Sequence, residues 1–396
     1  MIEAMIEASK IAQQFQNTNV QEFILKNPLK LSSNTLTLVA DQLLARQKSK
    51  TKLPTWFTNQ NILFPPPLSV EQASSEVTAN FKASVFSQLI GKKNVVDLTG
   101  GMGVDSWALA KICESVKYIE QSELLSEIAK VNFKSLNLTN IEVINQNATT
   151  LDYSFLNNNN NYYIDPHRRD NSQNKVFKIE DCEPNLLTLK PFLNKYMVKF
   201  SPMLDIKMAL EQLTNISYVY VIAFENEVKE LLFISNGIDS NPNIVCVNLS
   251  FKSLPHIFEF DYTLEEHCKI AYSNPLKYIY EPNASILKAG GFKSVSEKFN
   301  LLKIAPNSHL YTSDILNEAF PGRIFLCESI CKFDKKEILS KLPSPKANIS
   351  TRNFPLKPEE IKKKLGLQDG GDYYLFATEN SDKQKIVLVC KKVELL

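Results

Sequence analysis

The chain has 396 residues, of which 44% are hydrophobic and 22% charged, enough ordinary globular sequence for about two or three domains. No uninterrupted apolar run approaches the roughly 20 residues that span a bilayer, and the opening MIEAMIEASKIAQQF makes a poor signal peptide. A cytoplasmic protein without a membrane segment is therefore expected. Seven cysteines at scattered positions, odd in number and without CxxC spacing, read as reduced thiols rather than as a disulfide framework or metal site. Net charge is +2. Residues 1–250 carry 23 Lys and Arg against 25 Asp and Glu, and residues 251–396 carry 22 against 18; this mild C-terminal excess permits nucleic-acid binding without demanding it.

Residues 1–67 are expected to form a helical region, ended by the three prolines of LFPPPLS. Within it ARQKSKTK (Arg46, Lys48, Lys50, Lys52) reads as a solvated helix end, with an RNA-contacting patch as the alternative. Residues 68–255 alternate helical and strand patterns. The predicted order is helix SVEQASSEVTANFKASVFSQLI, strand NVVDLTG, helix VDSWALAKIC, strand SVKYIEQS, helix LLSEIAKVNFKSL, then the strands IEVINQN, YYIDPHRRD, NKYMVKFSPML and YVYVIAFEN. EVKELLFIS is expected as a helix and NIVCVNLSF as a strand. Short apolar strands alternating with helices predict an α/β, mostly parallel doubly wound sheet, and its last strands allow an antiparallel edge. Residues 256–328 and 329–396 have α+β texture, with Gly370-Gly371 as a turn and a basic helix start over Lys357–Lys364. The run Asn157–Asn161 reads as a flexible insertion.

The strongest chemical signal is VVDLTGGMGVD, residues 95–105. A strand ends at Asp97, glycines follow at 100, 101 and 103, and a helix begins; such a turn brings backbone amides up to a bound cofactor. Glu120 ends the next strand, where a carboxylate accepts both hydrogen bonds of a ribose diol. Gly101-x-Gly103-x-x-Ser106 comes near a dinucleotide fingerprint. The acidic strand end suits the ammonium and sulfonium of S-adenosylmethionine better, and Asn147-Ala148, after the third strand, is placed to read an adenine edge.

The order Asp97-Leu-Thr-Gly-Gly-Met-Gly103, Glu120, Asn147-Ala148, Asp165-Pro166 resembles the class I S-adenosylmethionine-dependent methyltransferases. With EQASSEVTANFKA, KFSPMLD, YEPNASILKAG, NSHLYTSD and RNFP…DGGDYY, the chain is similar to a bacterial methyltransferase family with a THUMP-like C-terminal region. The resemblance implies a Rossmann-like methyltransferase sheet with an antiparallel edge strand, an N-terminal helical region and a C-terminal ferredoxin-like and THUMP-like α+β part. It implies S-adenosylmethionine bound by Asp97, Thr99, Gly100, Gly101, Gly103, Glu120, Gln121, Asn147 and Ala148. Ser75, Glu76 and Lys82 are further candidate cofactor contacts, against packing and capping as the simpler role. By analogy with THUMP domains, the expected partner is structured RNA, tRNA or rRNA, with Arg352, Lys357, Lys362, Lys363 and Lys364 as candidate phosphate contacts.

In related enzymes the fourth strand ends beside the reactive methyl, which places Asp165, Pro166 and His167 at the reaction and Arg168, Arg169 and Lys199 toward the substrate. Base-amine methyltransferases follow Asp-Pro with Pro and an aromatic that stacks on the base; here His167 and Arg168 follow, so that aromatic is absent unless His167 or a residue of another loop supplies it, which weakens base N-methylation without excluding it. Uracil-C5 enzymes need a cysteine near the end of the next strand, and Phe200-Ser201-Pro202 supplies none. Cys182 has no base beside it in sequence, and Asp205 is a second candidate at the cleft border. Direct, non-covalent transfer is expected. The alternatives are a catalytically inactive binding protein, a small-molecule or protein methyltransferase, and a nicotinamide-dependent oxidoreductase.

Overall fold

The computed structural model describes residues 1–153, 160–168, 178–238 and 240–394, without the side chain of residue 168. Most of the expected asparagine insertion, 157–159, lies outside them. The described chain divides into two compact units, Met1–Tyr218 with Leu231–Asn241, and Val219–Glu230 with Pro242–Leu396.

In the first unit the N-terminal helices Ile2–Gln14, Val20–Lys26 and Ser33–Lys52 enclose Ala8, Ala12, Phe23, Val39 and Leu43. The basic stretch at the end of the third helix is only in part the expected solvated end: Lys50 is exposed and Lys48 and Lys52 are half-buried, but Arg46 is not at the surface. Arg46 is only 2% exposed; it donates to the Phe57 carbonyl at 2.8 Å and lies over the Phe57 and Phe64 rings. Lys48 pairs with Glu71, and Lys52 donates to the Val70 carbonyl. A long aliphatic stem and a weakly hydrated planar head let an arginine join a core that charge counting assigns to the surface.

The sheet of this unit contains β1 (Val95–Asp97), β2 (Val116–Glu120), β3 (Ile141–Asn145), β4 (Asn161–Ile164) and β5 (Lys195–Phe200) in the order β5-β4-β1-β2-β3, all parallel. The order reverses at β1, so the carboxyl ends of β1 and β4 diverge into a crevice, the usual ligand position in such sheets. Helices Glu76–Leu89, Val104–Ala110 and Glu123–Ser135 supply the layers around it, in the predicted alternation, except that the single helix expected over 69–90 breaks at the extended residues Ala73 and Ser75 into Pro67–Gln72 and Glu76–Leu89.

EVKELLFIS is a strand, not the expected helix. After β6 (Tyr218–Phe224), Glu225 and Asn226 both take left-handed backbone angles (φ 48° and 62°), the geometry of a two-residue turn that sends a strand back. The chain then forms β7 (Glu227–Ser235), whose Leu231–Ser235 part runs antiparallel beside β5. Residues 230–235 are all buried, so the segment shows neither helical nor strand periodicity and only its turn marks it.

The second unit holds β8 (Asn243–Leu249) and β9 (His256–Phe260), an antiparallel pair, and a seven-stranded mixed sheet. In that sheet the eleven-residue strand Gly322–Lys332 pairs with Tyr278–Pro282 on one side and Lys385–Lys392 on the other. Asn348–Arg352, parallel to Tyr373–Glu379, ends the order. No helix among the described residues is long and apolar enough to cross a membrane.

Candidate active site

β1 is buried throughout and ends in a carboxylate: Asp97 is 1% exposed. Its oxygens are held locally. Oδ1 accepts from the Thr99 backbone N–H at 3.0 Å, and Oδ2 from the Ser106 hydroxyl at 2.5 Å. Burial pushes this carboxyl up to about 7, further than those hydrogen bonds pull it back, and the nearby Asp105 and Asp165 charges add to the rise. The turn that follows passes tightly over β2. A Cβ on Gly100 would sit 2.2 Å from the Tyr118 ring, and Gly103 combines a φ of 88° with a close approach to Phe133. Neither position admits a side chain.

Glu120 closes the turn from the other side, accepting the Gly101 N–H at 2.9 Å and the Ser122 N–H at 2.7 Å. Beyond β3, Asn147 is turned into its own loop. Its carbonyl oxygen accepts from the Thr149 backbone and hydroxyl, and its amide donates to Gln121 Oε1 at 2.9 Å. The Asn147 side chain thus shapes the loop that presents the buried Ala148, rather than pointing a free amide at a ligand. All nine expected cofactor residues nevertheless line one cleft of about 590 Å³, within the range of small-molecule sites.

The same cleft takes in Asp165, Pro166, His167 and Lys199. The Asp165 backbone N–H donates to Thr99 Oγ1 at 2.6 Å, tying the end of β4 to the end of β1. Lys199, near the end of β5, places Nζ 2.5 Å from Asp165 Oδ2, so the expected substrate lysine is the partner of the expected catalytic carboxylate. His167 is exposed and its backbone pairs with Glu183, while Arg168 pairs with Cys182. The side chain of Arg168, and Arg169 altogether, lie outside the described residues. Cys182 is fully buried, Asp205 caps a helix by accepting the Met208 N–H, and neither is among the residues lining the cleft.

Sequence reading missed a second carboxylate, largely but not fully buried, with its side chain 11% exposed. Asp105, in the first turn after the glycines, accepts from the Ser74 and Tyr163 hydroxyls at 2.9 Å each and pairs with Lys82 at 2.9 Å. Burial raises its pKa, but Lys82 and then Lys199 outweigh that and hold the carboxyl below its ordinary value. Lys82, 2% exposed, also donates to Ser74 at 2.6 Å. It therefore fastens the segment ahead of helix Glu76–Leu89, which lines the cleft through Gln72, Ala73 and Ser74. Ser75 caps that helix, and Glu76 accepts from the Thr55 and Trp56 N–H groups; capping and packing, not ligand contact, account for both. A lysine and an aspartate 23 residues apart carry no pattern that would pair them beforehand.

In the second unit Arg352 is not an open phosphate contact. It pairs at 2.8 Å with Glu281, which is 2% exposed and also pairs with Arg323. Lys362 pairs with Asp369, whereas Lys357, Lys363 and Lys364 sit on or beside helix Pro358–Leu365, all three exposed.

Residues 278–321 match the family profile of a ferredoxin-like domain and residues 322–392 that of a THUMP domain-like module. A crystal structure of a proposed methyltransferase from Porphyromonas gingivalis W83 is similar over 99% of both chains, with 33% identity and a TM-score of 0.87. An rRNA methylase from Streptococcus thermophilus matches 39% of this chain and 92% of its own, at 15% identity and a TM-score of 0.30. SMU.1697c, a proposed methyltransferase of Streptococcus mutans in complex with SAH, matches 41% of this chain and 97% of its own, at 12% identity and a TM-score of 0.28. No protein of curated function matches.

Proposed function

This chain belongs to the bacterial methyltransferase family that joins a class I fold to ferredoxin-like and THUMP-like C-terminal domains, and from that premise we propose that it methylates structured RNA with S-adenosylmethionine, by direct transfer. The observation that carries the cofactor is Asp97. A carboxylate with 1% exposure, raised to about 7 and facing a cleft, is uncompensated by any cation of its own turn; burying such a charge is costly until a positive group arrives. The ammonium and sulfonium of the cofactor answer that need, and the glycines at 100, 101 and 103 keep side chains out of the space beside them. When bound, S-adenosylmethionine supplies an electrophilic methyl group.

Asp97, with Thr99 and Ser106 fixing its two oxygens, holds the amino-acid end. Glu120, anchored by the Gly101 and Ser122 amides, keeps lone pairs for a ribose diol. Gln121 and Asn147 brace the loop whose Ala148 backbone borders the base. Asp165, Pro166 and His167 line the same cleft at the end of β4, with Asp165 tied to Thr99; with the acceptor held against them, proximity and orientation supply much of the rate. The RNA reading rests on the THUMP-like module and on Lys357, Lys363 and Lys364. Labelled methyl donor, incubated with this protein and total RNA from a strain lacking it, is expected to label RNA; absence of label above an Asp97→Ala control removes RNA as substrate.

A further inference from the structure

The acceptor end of the cleft is built from an ion pair. Lys199 Nζ and Asp165 Oδ2 meet at 2.5 Å, with side chains 15% and 30% exposed, and Thr99 fixes the Asp165 backbone beneath them. Asp165 Oδ1 has no partner among the described residues. We infer that the methyl acceptor is a hydroxyl oxygen and not a base amine; resting on the RNA reading above, it is the ribose 2′-hydroxyl, the one hydroxyl at internal positions of an RNA strand.

An exocyclic amine presents two N–H donors and needs acceptors around it to direct its lone pair. Here one carboxylate oxygen is taken by an ammonium, itself a donor, so an amine would meet donor against donor and would gain positive charge beside Lys199. A hydroxyl fits the same pair without conflict. Its proton points to Asp165 Oδ1 and its oxygen accepts from Lys199, which stabilises negative charge developing there. In the transfer the hydroxyl oxygen forms the new C–O bond as the donor's S–CH3 bond breaks, leaving that electron pair on sulfur. The hydroxyl proton passes to Asp165 and on to water. The lining agrees: among the described residues of the cleft none is Phe, Tyr or Trp, and the exposed His167 imidazole is the one aromatic ring there, a smaller stacking platform than base-amine enzymes use. A sugar hydroxyl needs no such platform.

The test is the position of the methyl. Total RNA from a strain lacking the protein is labelled with the wild-type protein and methyl-labelled S-adenosylmethionine, then hydrolysed in alkali. Alkaline cleavage requires a free 2′-hydroxyl, so label on that oxygen stays in alkali-stable dinucleotides, the result expected. Label released in mononucleotides places the methyl on a base and overturns the inference while leaving the RNA reading intact. No label in RNA from a protein that still binds S-adenosylhomocysteine overturns both. In Lys199→Met the turnover is expected to fall about 100-fold with unchanged calorimetric affinity for S-adenosylhomocysteine and partial recovery in Lys199→Arg. Unchanged turnover in Lys199→Met contradicts the role given to the pair.

Discussion

The Ser106 hydroxyl donates a 2.5 Å hydrogen bond to Asp97, joining the first turn of the helix after the glycines to a carboxylate that has almost no exposed surface. That bond and the Thr99 amide fix where the charge lies without neutralising it. The native carboxyl titrates near 7 against an ordinary value of 3.8, so its ionisation weakens the fold progressively as pH rises from about 4 to 7, and the full cost persists above. Asp97→Asn is therefore expected to raise the melting temperature at about pH 8, with a gain in unfolding free energy on the order of 2–4 kcal/mol at most, while abolishing S-adenosylmethionine binding. Differential scanning calorimetry and a binding titration on the same variant check the two halves. A destabilised variant at that pH contradicts the role given to Asp97.

The same titration gives the ligand a pH dependence. A cationic ligand favours the ionised form of Asp97, so affinity should rise with pH up to about 7 and level off above it. Below that point it should fall by as much as about tenfold per unit. Calorimetry near pH 7 in buffers of different ionisation enthalpy should detect proton release on binding. Equal affinity at about pH 6 and about pH 7.5, with no proton released, argues against a buried carboxylate meeting a cation.

Gly100→Ala tests the close packing of the turn on β2. The added methyl meets the Tyr118 ring at 2.2 Å, and overpacking of this kind costs about 1–3 kcal/mol. Lower stability in urea, with weaker S-adenosylhomocysteine binding, is the expected result. Wild-type values for both would mean that the ring moves freely, which the Tyr118 hydroxyl bond to the Gly101 carbonyl at 2.6 Å opposes.

How much of this the sequence revealed follows from what each feature depends on. β1, the glycine turn and Glu120 are local: their residues lie within one strand–turn–helix–strand unit, and all nine expected cofactor residues do line the cleft. What pairs across the fold was not legible. Lys82 with Asp105, and Arg352 with Glu281, join residues whose separation follows no helical or strand period. Arg46 looked like surface because charge is the cue a sequence offers, and its burial depends on two phenylalanines 11 and 18 residues away. EVKELLFIS failed for another reason. Its glutamates, lysine and leucines favour a helix, and only the left-handed pair Glu225-Asn226, without the glycine that usually marks such a turn, makes it a strand.

The arginine pair in the second unit gives a prediction that separates stability from RNA binding. Arg352→Ala removes one partner of a carboxylate buried to 2%. Because both arginines are about a third exposed, the destabilisation should be about 2 kcal/mol, below the roughly 3–5 of a fully buried pair. The salt dependence of RNA binding should not change. Lys363→Ala with Lys364→Ala should do the reverse, leaving stability alone and reducing the salt slope by about 0.7–0.9 for each phosphate no longer neutralised. A flatter slope in Arg352→Ala would return that arginine to the RNA interface.

The central claim is that Asp97 and the glycine turn hold S-adenosylmethionine, and isothermal titration of that ligand into the wild-type protein and into Asp97→Ala, at about pH 7.5, tests it most directly. One saturable site in the wild type and none in the variant is the predicted result. No binding to the wild type, or equal binding to both, would contradict it.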